Sequence, residues 1–290
     1  MDKGYLTPAE ITAYVIEAGQ KKTHLKWNKQ LVLGILAGAF IAFASAGSNA
    51  AIYNITSLGV GKALGGALFS TGLMLVLLAG GELFTGNCLA LVSCVEKKSR
   101  WTALFRNWFM VYLGNFIGSM IVVLLITGSG QLNFSHGLLG GFTLKTAVYK
   151  TSLTFGNAFF MGILCNWLVC LAVWLCYGGK DMAGKILAIF FPIWLFITSG
   201  YEHSVANMYY IPAGLLAKSN PLFVEEALSL GATMEGINHL TWGNFLLGNL
   251  LPVTLGNIVG GCLFVGLAYW FVYKKDDNVF NHSEKERKAG

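Results

Sequence analysis

Two of the six apolar runs in this chain are the wrong length. Crossing the hydrocarbon of a bilayer takes about 20 helical residues. The runs at 30–55, 103–127, 155–177 and 244–273 suit single crossings. Those at 62–95 and 184–217 are too long for one simple helix and too short for two, and each carries a polar interruption. Lipid leaves backbone N–H and C=O groups unsatisfied, so a broken helix persists there only when buried in protein or lining a water-filled cavity. Hydrophobic residues make up 55% of the chain and charged ones only 12%, against roughly 25% charged in soluble domains. The expectation is an all-α polytopic membrane protein with six spans, the second and fifth broken.

Charge orients it. With both ends on one side, that side holds sixteen of the twenty Lys and Arg residues. The positive-inside rule then places both termini in the cytoplasm and the chain, multi-pass, in the cytoplasmic membrane. The same distribution explains the net charge of +6 without any nucleic-acid partner. The first 29 residues contain no apolar stretch of the kind a secretory leader carries, so none is expected. Within them, Thr7-Pro8-Ala9-Glu10 is a helix start. Thr7 caps, Pro8 suits the first turn, and Glu10 sits where a capping box needs it. An amphipathic helix to about Thr23 follows, packed on the cytoplasmic face, or acting as a gate or a contact with a neighbouring subunit.

The chain also repeats itself. Residues 107–118 and 249–260 share Asn107/Asn249, Val111/Val253, Leu113/Leu255, Gly114/Gly256, Asn115/Asn257 and Gly118/Gly260. The two interruptions share the frame G-x-E-x4-N, as Gly80, Glu82 and Asn87 in one and Gly200, Glu202 and Asn207 in the other. Each copy has three crossings, so the second is inverted in the membrane. Broken helices at matching places in inverted repeats point to a transport site near the midplane. The expected organisation is a cytoplasmic N-terminal helix (1–29), a first three-helix repeat (30–128), an extracytoplasmic loop (129–154), a second repeat (155–273) and a disordered cytoplasmic tail (274–290).

A helix beginning inside the membrane offers free N–H groups and a partial positive charge, which favour an anion. Ionisable residues at that depth are Glu82, Glu202 and His203, with Lys150 just before the fourth span. Glu82, Asn87, Glu202 and Asn207 are read as loop tethers, each carboxylate accepting N–H groups that hold its loop together. His203 stands where the first copy has Leu83, and this asymmetry marks it as functional, since histidine changes protonation near neutral pH. Thr85 supplies a hydroxyl in the other break. The six cysteines fall in or beside apolar runs without C-x-x-C pairing and read as small hydrophobes, so no metal site is expected.

At these residues the chain resembles the formate/nitrite transporter family. The motifs that carry the likeness are Gly81-Glu82-Leu83-Phe84-Thr85-Gly86-Asn87, Asn166-Trp167-Leu168-Val169-Cys170-Leu171-Ala172-Val173-Trp174, Gly200-Tyr201-Glu202-His203-Ser204-Val205-Ala206-Asn207-Met208 and Pro252-Val253-Thr254-Leu255-Gly256-Asn257-Ile258-Val259-Gly260-Gly261. It covers essentially 5–273. The resemblance implies an aquaporin-like fold, a homopentamer with one pore per protomer, and a small monovalent anion as substrate. Formate comes first, with nitrite and hydrosulfide as alternatives. It maps the family's central histidine onto His203, its threonine partner onto Thr85, its vestibule lysine onto Lys150 and its pore asparagine onto Asn166. Its hydrophobic constrictions map onto Phe69 and Phe196 outside, and Leu73, Leu83, Phe84 and Val169 inside. From the residues alone, those six would be plain core. The resemblance implies no enzyme activity and no cofactor, with a proton as possible co-substrate at His203. Glu82, aspartate in some members, and Gly86-Asn87, Ser-Thr in some, are modest departures.

Two other classes compete. A haem-binding redox subunit needs paired histidines, but of His24, His136, His203, His239 and His282 only His203 lies at midplane depth. A water or ammonium channel would carry an N-P-A motif or a second histidine in the fourth span, and neither is present.

Overall fold

The computed structural model describes residues 4–274. The expected disordered tail lies, from residue 275 on, outside the described residues. Twelve helices are labelled here in chain order. They are α1 (Pro8–His24), α2 (Trp27–Ile52), α3 (Leu58–Gly80), α4 (Phe84–Val95), α5 (Trp101–Gly128), α6 (Leu138–Thr151), α7 (Phe155–Gly178), α8 (Met182–Ser199), α9 (Ser204–Ala217), α10 (Pro221–Ser229), α11 (Met234–His239) and α12 (Asn244–Tyr273). Six of them, α2, α3, α5, α7, α8 and α12, are long and apolar enough to cross a membrane.

The outer surface is apolar. Phe109, Phe160, Leu187 and Leu247 are all exposed, as a surface facing lipid or neighbouring protomers requires. The polar residues Asn107, Asn115, Asn166, Asn249 and Asn257 are instead fully buried among the helices. Polarity therefore points inward, the reverse of a soluble fold, because buried polar groups find partners there and lipid offers none.

Both breaks fall at the motif. α3 ends in a π-helical turn over Leu75–Gly80, and Gly80 turns the chain with φ +102°. α8 ends at Gly200 with φ +77°. Side chains rarely adopt this left-handed conformation, so glycine stands at both places. The chain resumes as α4 and α9. The copies also close in the same way. A Cβ on Gly118 of α5 would collide with the Ile35 carbonyl of α2, and one on Gly260 of α12 with the Ile163 carbonyl of α7. The shared glycines of the repeat are thus the points where the first and third spans of each copy meet backbone to backbone.

α1 forms as its capping box predicts. Glu10 N–H donates to Thr7 Oγ1 at 3.4 Å, and Thr7 N–H donates to Glu10 Oε2 at 2.6 Å. Its Ile11, Val15 and Ile16 are buried against the body of the protein.

The connection 129–154 is not a bare loop. It contains α6, a 14-residue helix too short and too polar to register as a span. Its Leu139, Leu144 and Ala147 are buried, against α9 and α10. α6 stands before the first span of the second copy as α1 stands before that of the first. Both carry the same pair in their last turn, Lys22-Thr23 and Lys150-Thr151.

Candidate functional site

Each break is held by one polar cluster, built twice. In the first copy, Asn87 Nδ2 donates to Glu82 Oε2 at 2.6 Å and to Asn107 Oδ1 at 3.0 Å. In the second, Asn207 Nδ2 donates to Glu202 Oε2 at 2.6 Å and to Asn249 Oδ1 at 2.7 Å. Asn115 Nδ2 donates to the carbonyls of Gly34 and Glu82, and its Oδ1 accepts Phe84 N–H. Asn257 does the same for Gly162, Glu202 and Ser204. The two asparagines of the span repeat thus satisfy the backbone that each break exposes, which lipid cannot.

The N–H groups that the carboxylates accept come from side chains; the nearby backbone is served by Asn115 and Asn257. Glu82 accepts the Asn87 amide and a lysine, and Glu202 accepts the amides of Asn207 and Asn249 and a lysine. Lys22 Nζ lies 2.8 Å from Glu82 Oε1, and Lys150 Nζ lies 2.7 Å from Glu202 Oε1. Lys150 was marked in the sequence, whereas Lys22 was not. The signal for it was present: a Lys-Thr pair closing a short helix before the first span of each copy. The lysine backbones are held too, Asn107 Nδ2 donating to Lys22 O at 3.2 Å and Asn249 Nδ2 to Lys150 O at 2.8 Å.

The clusters are not identical. Lys22 also donates to Asn87 Oδ1 at 3.0 Å. The equivalent Asn207 Oδ1 is buried without a partner among the described residues, and Lys150 instead lies 5.2 Å above the Tyr210 ring. An ammonium has three donors, and Lys150 commits fewer of them to protein oxygens than Lys22 does. On α1, burial alone would lower the Lys22 pKa, but the Glu82 carboxylate together with Tyr177 and Tyr14 outweighs it and holds the ammonium above the usual lysine value.

Between the clusters the two breaks meet. His203 Nε2 lies 2.9 Å from Thr85 Oγ1, and both residues are buried. His203 Nδ1 accepts the N–H of Ala206 at 3.0 Å, so histidine is the N-cap of α9. A backbone N–H can only donate, so Nδ1 is the acceptor nitrogen and the neutral ring carries its proton on Nε2. Nε2–H then donates to Thr85 Oγ1, which leaves the Thr85 hydroxyl proton free to point elsewhere. Asn166 Nδ2 donates to Thr85 O at 3.2 Å and to Asn257 O at 2.6 Å. Its Oδ1 is buried with no partner among the described residues. Thr85 and Asn166 therefore offer one uncommitted donor and one uncommitted acceptor, both neutral.

Apolar side chains flank this centre. The Phe69 and Phe196 rings meet edge to face at 5.7 Å, and Phe196 lies 6.0 Å from the His203 ring. On the α1 side, Leu73, Leu83, Val173, Asn87 and Lys22 line a cavity of about 10 Å³, room for about one water. Val169 is buried one turn from Val173. Phe84 turns towards α5, its ring edge-on to Trp108 and Tyr112 at 6.0 and 4.8 Å. Of the inner four constriction residues, the structure thus brings Leu73 and Leu83 together at this cavity, and it is Val173 rather than Val169 that lines it.

The Formate/nitrite transporter family model matches residues 9–271. The formate channel FocA of Escherichia coli (strain K12) is 38% identical over 283 residues, covering 94% of this chain and 96% of that protein. A probable formate transporter of Methanothermobacter thermautotrophicus is 36% identical over 294 residues, covering 95% of this chain and all of the relative. Among solved structures, a pentameric formate channel with formate bound superposes with a TM-score of 0.75 at 37% identity, covering 86% of this chain and 98% of the other. An FNT family ion channel gives the same TM-score at 31% identity, covering 91% and 98%.

Proposed function

The chain belongs to the formate/nitrite transporter family, and from that membership we propose that it is a channel for formate, working as a pentamer with one pore through each protomer. Relatives named formate channels and a pentameric structural neighbour support this reading. It lies in the cytoplasmic membrane with both termini in the cytoplasm, as the distribution of basic residues argues. The observation that carries the proposal is the His203–Thr85 pair, closed in by aromatic and aliphatic side chains.

Lys22 and Lys150 stand at the two mouths, each matched to a carboxylate. An arriving anion competes for an ammonium donor without meeting a large net charge. The phenylalanine pair and the leucines then set the cost of dehydration. A formate ion is small enough to shed its water against the Thr85 hydroxyl, whereas a larger or divalent anion loses more hydration than one hydroxyl returns. Asn166 Oδ1 accepts only from a group that carries hydrogen, so it favours water or the protonated acid.

In the conformer described, neutral His203 donates a hydrogen bond and no proton. The proton step we assign to it runs through imidazolium. Nδ1 gives up Ala206 N–H and takes a proton from water that enters with the anion. Nε2–H then passes its proton to Thr85 Oγ1 as the Thr85 hydroxyl proton moves to the carboxylate. Formic acid crosses the apolar ring neutral, and on the far side it releases the proton to water. The imidazole, left as the Nδ1–H form, takes a proton from water at Nε2 and gives up the one at Nδ1, which restores the bond from Ala206 N–H.

The test is flux into liposomes containing the purified protein, with formate, nitrite and hydrosulfide compared at two pH values. Formate flux above the other two, with pH dependence lost in His203→Asn, is expected. Preference for nitrite or hydrosulfide would replace formate as substrate and leave the pathway standing.

A further inference from the structure

A cluster of basic side chains lies outside the pore. On the α1 face, a cavity of about 770 Å³ opens between the end of α1, the turn at 96–100 and the start of α5. Lys97, Lys98, Arg100 and Arg106 line it together with His24, and among the described residues no carboxylate does. The positive-inside rule explains why cations lie on this face. It does not explain why four of them surround one concavity.

The cavity is built rather than incidental. Lys97 takes φ +58°, an uncommon conformation for a side-chain-bearing residue. The turn around it is fixed by Lys97 N–H to Cys94 O, and by Lys98 and Ser99 N–H to Ser93 O. Ser99 is buried and bonded to Thr23 at 2.8 Å and Ser93 at 3.0 Å. Arg106 Nη2 donates to Thr23 O at 3.0 Å, which ties the α1 side of the cavity to α5. The cavity also holds the start of α5, with Arg100, Thr102 and Ala103 in its wall. That 28-residue helix has no side-chain cap, so its first N–H groups and its dipole point towards an anion. Exposed Trp101 lies in sequence between the lining residues Arg100 and Thr102, and exposed Trp27 follows Leu25, whose carbonyl Arg106 also reaches; tryptophan is the residue type found at headgroup depth.

We propose that this cavity binds the phosphate group of an anionic ligand, with the Lys97, Lys98 and Arg100 side chains and the α5 N-terminus as its partners. The headgroup of an acidic membrane phospholipid and a free phosphomonoester share that chemistry. The flanking tryptophans favour the lipid. Because Thr23 is a wall residue, the bound group joins α1 to α5 next to Lys22.

The test uses the full-length protein, delipidated in detergent and titrated with phosphatidylglycerol, with phosphatidylcholine, and with glycerol 3-phosphate. Binding is counted by native mass spectrometry. Tight, selective binding of phosphatidylglycerol is expected. It should weaken roughly a hundredfold in Lys97→Asn/Lys98→Gln/Arg100→Gln, at about fivefold per cation removed. The charge-matched Lys21→Gln/Lys26→Gln/Lys29→Gln should change it by no more than about twofold, since charges outside the cavity are screened. Lys98→Gln/Arg100→Gln, which leaves the Lys97 turn untouched, serves if the triple variant fails to fold. Glycerol 3-phosphate binding that is lost in the same variants, without phosphatidylglycerol binding, would keep the phosphate site and assign it a soluble ligand. Equal losses in cavity and control variants, or no loss in either, would overturn the proposal.

Discussion

His203 Nδ1 accepts the N–H of Ala206 at 3.0 Å, so the residue that faces Thr85 also caps the helix that begins behind it. Position and chemistry are therefore coupled in one ring. Any substitution that removes the imidazole also tests the start of α9.

The two roles separate in a pair of variants. Asparagine is among the best N-cap residues, and alanine among the poor ones. His203→Asn should keep the thermal stability close to that of the parent while abolishing the pH dependence of formate flux. His203→Ala should lose both, with about 1 kcal/mol of stability gone. Unfolding midpoints and flux at two pH values read the two effects independently. A pH-dependent flux unchanged in His203→Asn would remove the proton step.

Thr85→Val keeps the shape of the side chain and deletes the hydroxyl. It leaves the His203 Nε2–H without its acceptor and the anion without its donor. Loss of one hydrogen bond of this kind is worth about 1 kcal/mol, more where a buried partner is stranded. Formate flux should fall by about tenfold or more, and Thr85→Ser should recover most of it. Equal flux in Thr85→Val and the parent would place the pathway elsewhere.

The lysine–glutamate pairs make a prediction about stability. Glu202 and Lys150 have side-chain exposures of 2% and 12%, against 9% and 21% for Glu82 and Lys22. Removing one partner of a buried pair strands the other charge, at a cost of about 3–5 kcal/mol. Lys150→Met should therefore lower the unfolding midpoint in detergent more than Lys22→Met. The double variant Lys150→Met/Glu202→Gln should regain much of the loss, because no charge is left uncompensated. If the single and double variants unfold together, the pair does not act as a unit.

Much of this fold was legible in the sequence for one reason: the bilayer restricts what a long apolar run can do. Six spans, two breaks and the inverted repeat follow from run lengths and from G-x-E-x4-N. The glycine pair Gly118/Gly260 and the asparagine pair Asn115/Asn257 appeared as bare identities, and packing gave them their meaning. α6 was read as loop because Lys145, Thr146 and Lys150 dilute its apolar face. Lys22 was missed for a related reason. It lies on an amphipathic helix outside the spans, where lysine is ordinary, and only the docking of α1 carries its ammonium to Glu82. Sequence marks the carboxylates as N–H acceptors within their loops but does not say that Asn87 and Lys22 turn in to donate. Among the constriction residues, Phe69, Phe196, Leu73 and Leu83 could not be told from core by pattern, since an apolar gate and an apolar core have the same composition.

The last relationship concerns α1 and the mouth of the pore. Lys22 lines the cavity of about 10 Å³ beside Leu83, and it reaches there because Val15 and Ile16 bury on the body of the protein. α1 is held there by these apolar contacts, by the Lys22–Glu82 ion pair, and by hydrogen bonds from Lys22 to Asn87, Asn107 to the Lys22 carbonyl, Arg106 to the Thr23 carbonyl and between Thr23 and Ser99. Val15→Asp places an unpaired charge in that contact, which costs several kcal/mol while α1 stays docked. The helix should then leave its seat. Cleavage by trypsin after Lys21 or Lys22 should become fast, and formate flux should rise several-fold as the cavity opens. Glu82→Gln should give a smaller effect in the same direction, since it removes the ion pair and keeps the apolar contact. Rapid cleavage without increased flux would show that α1 packs on this face without closing it.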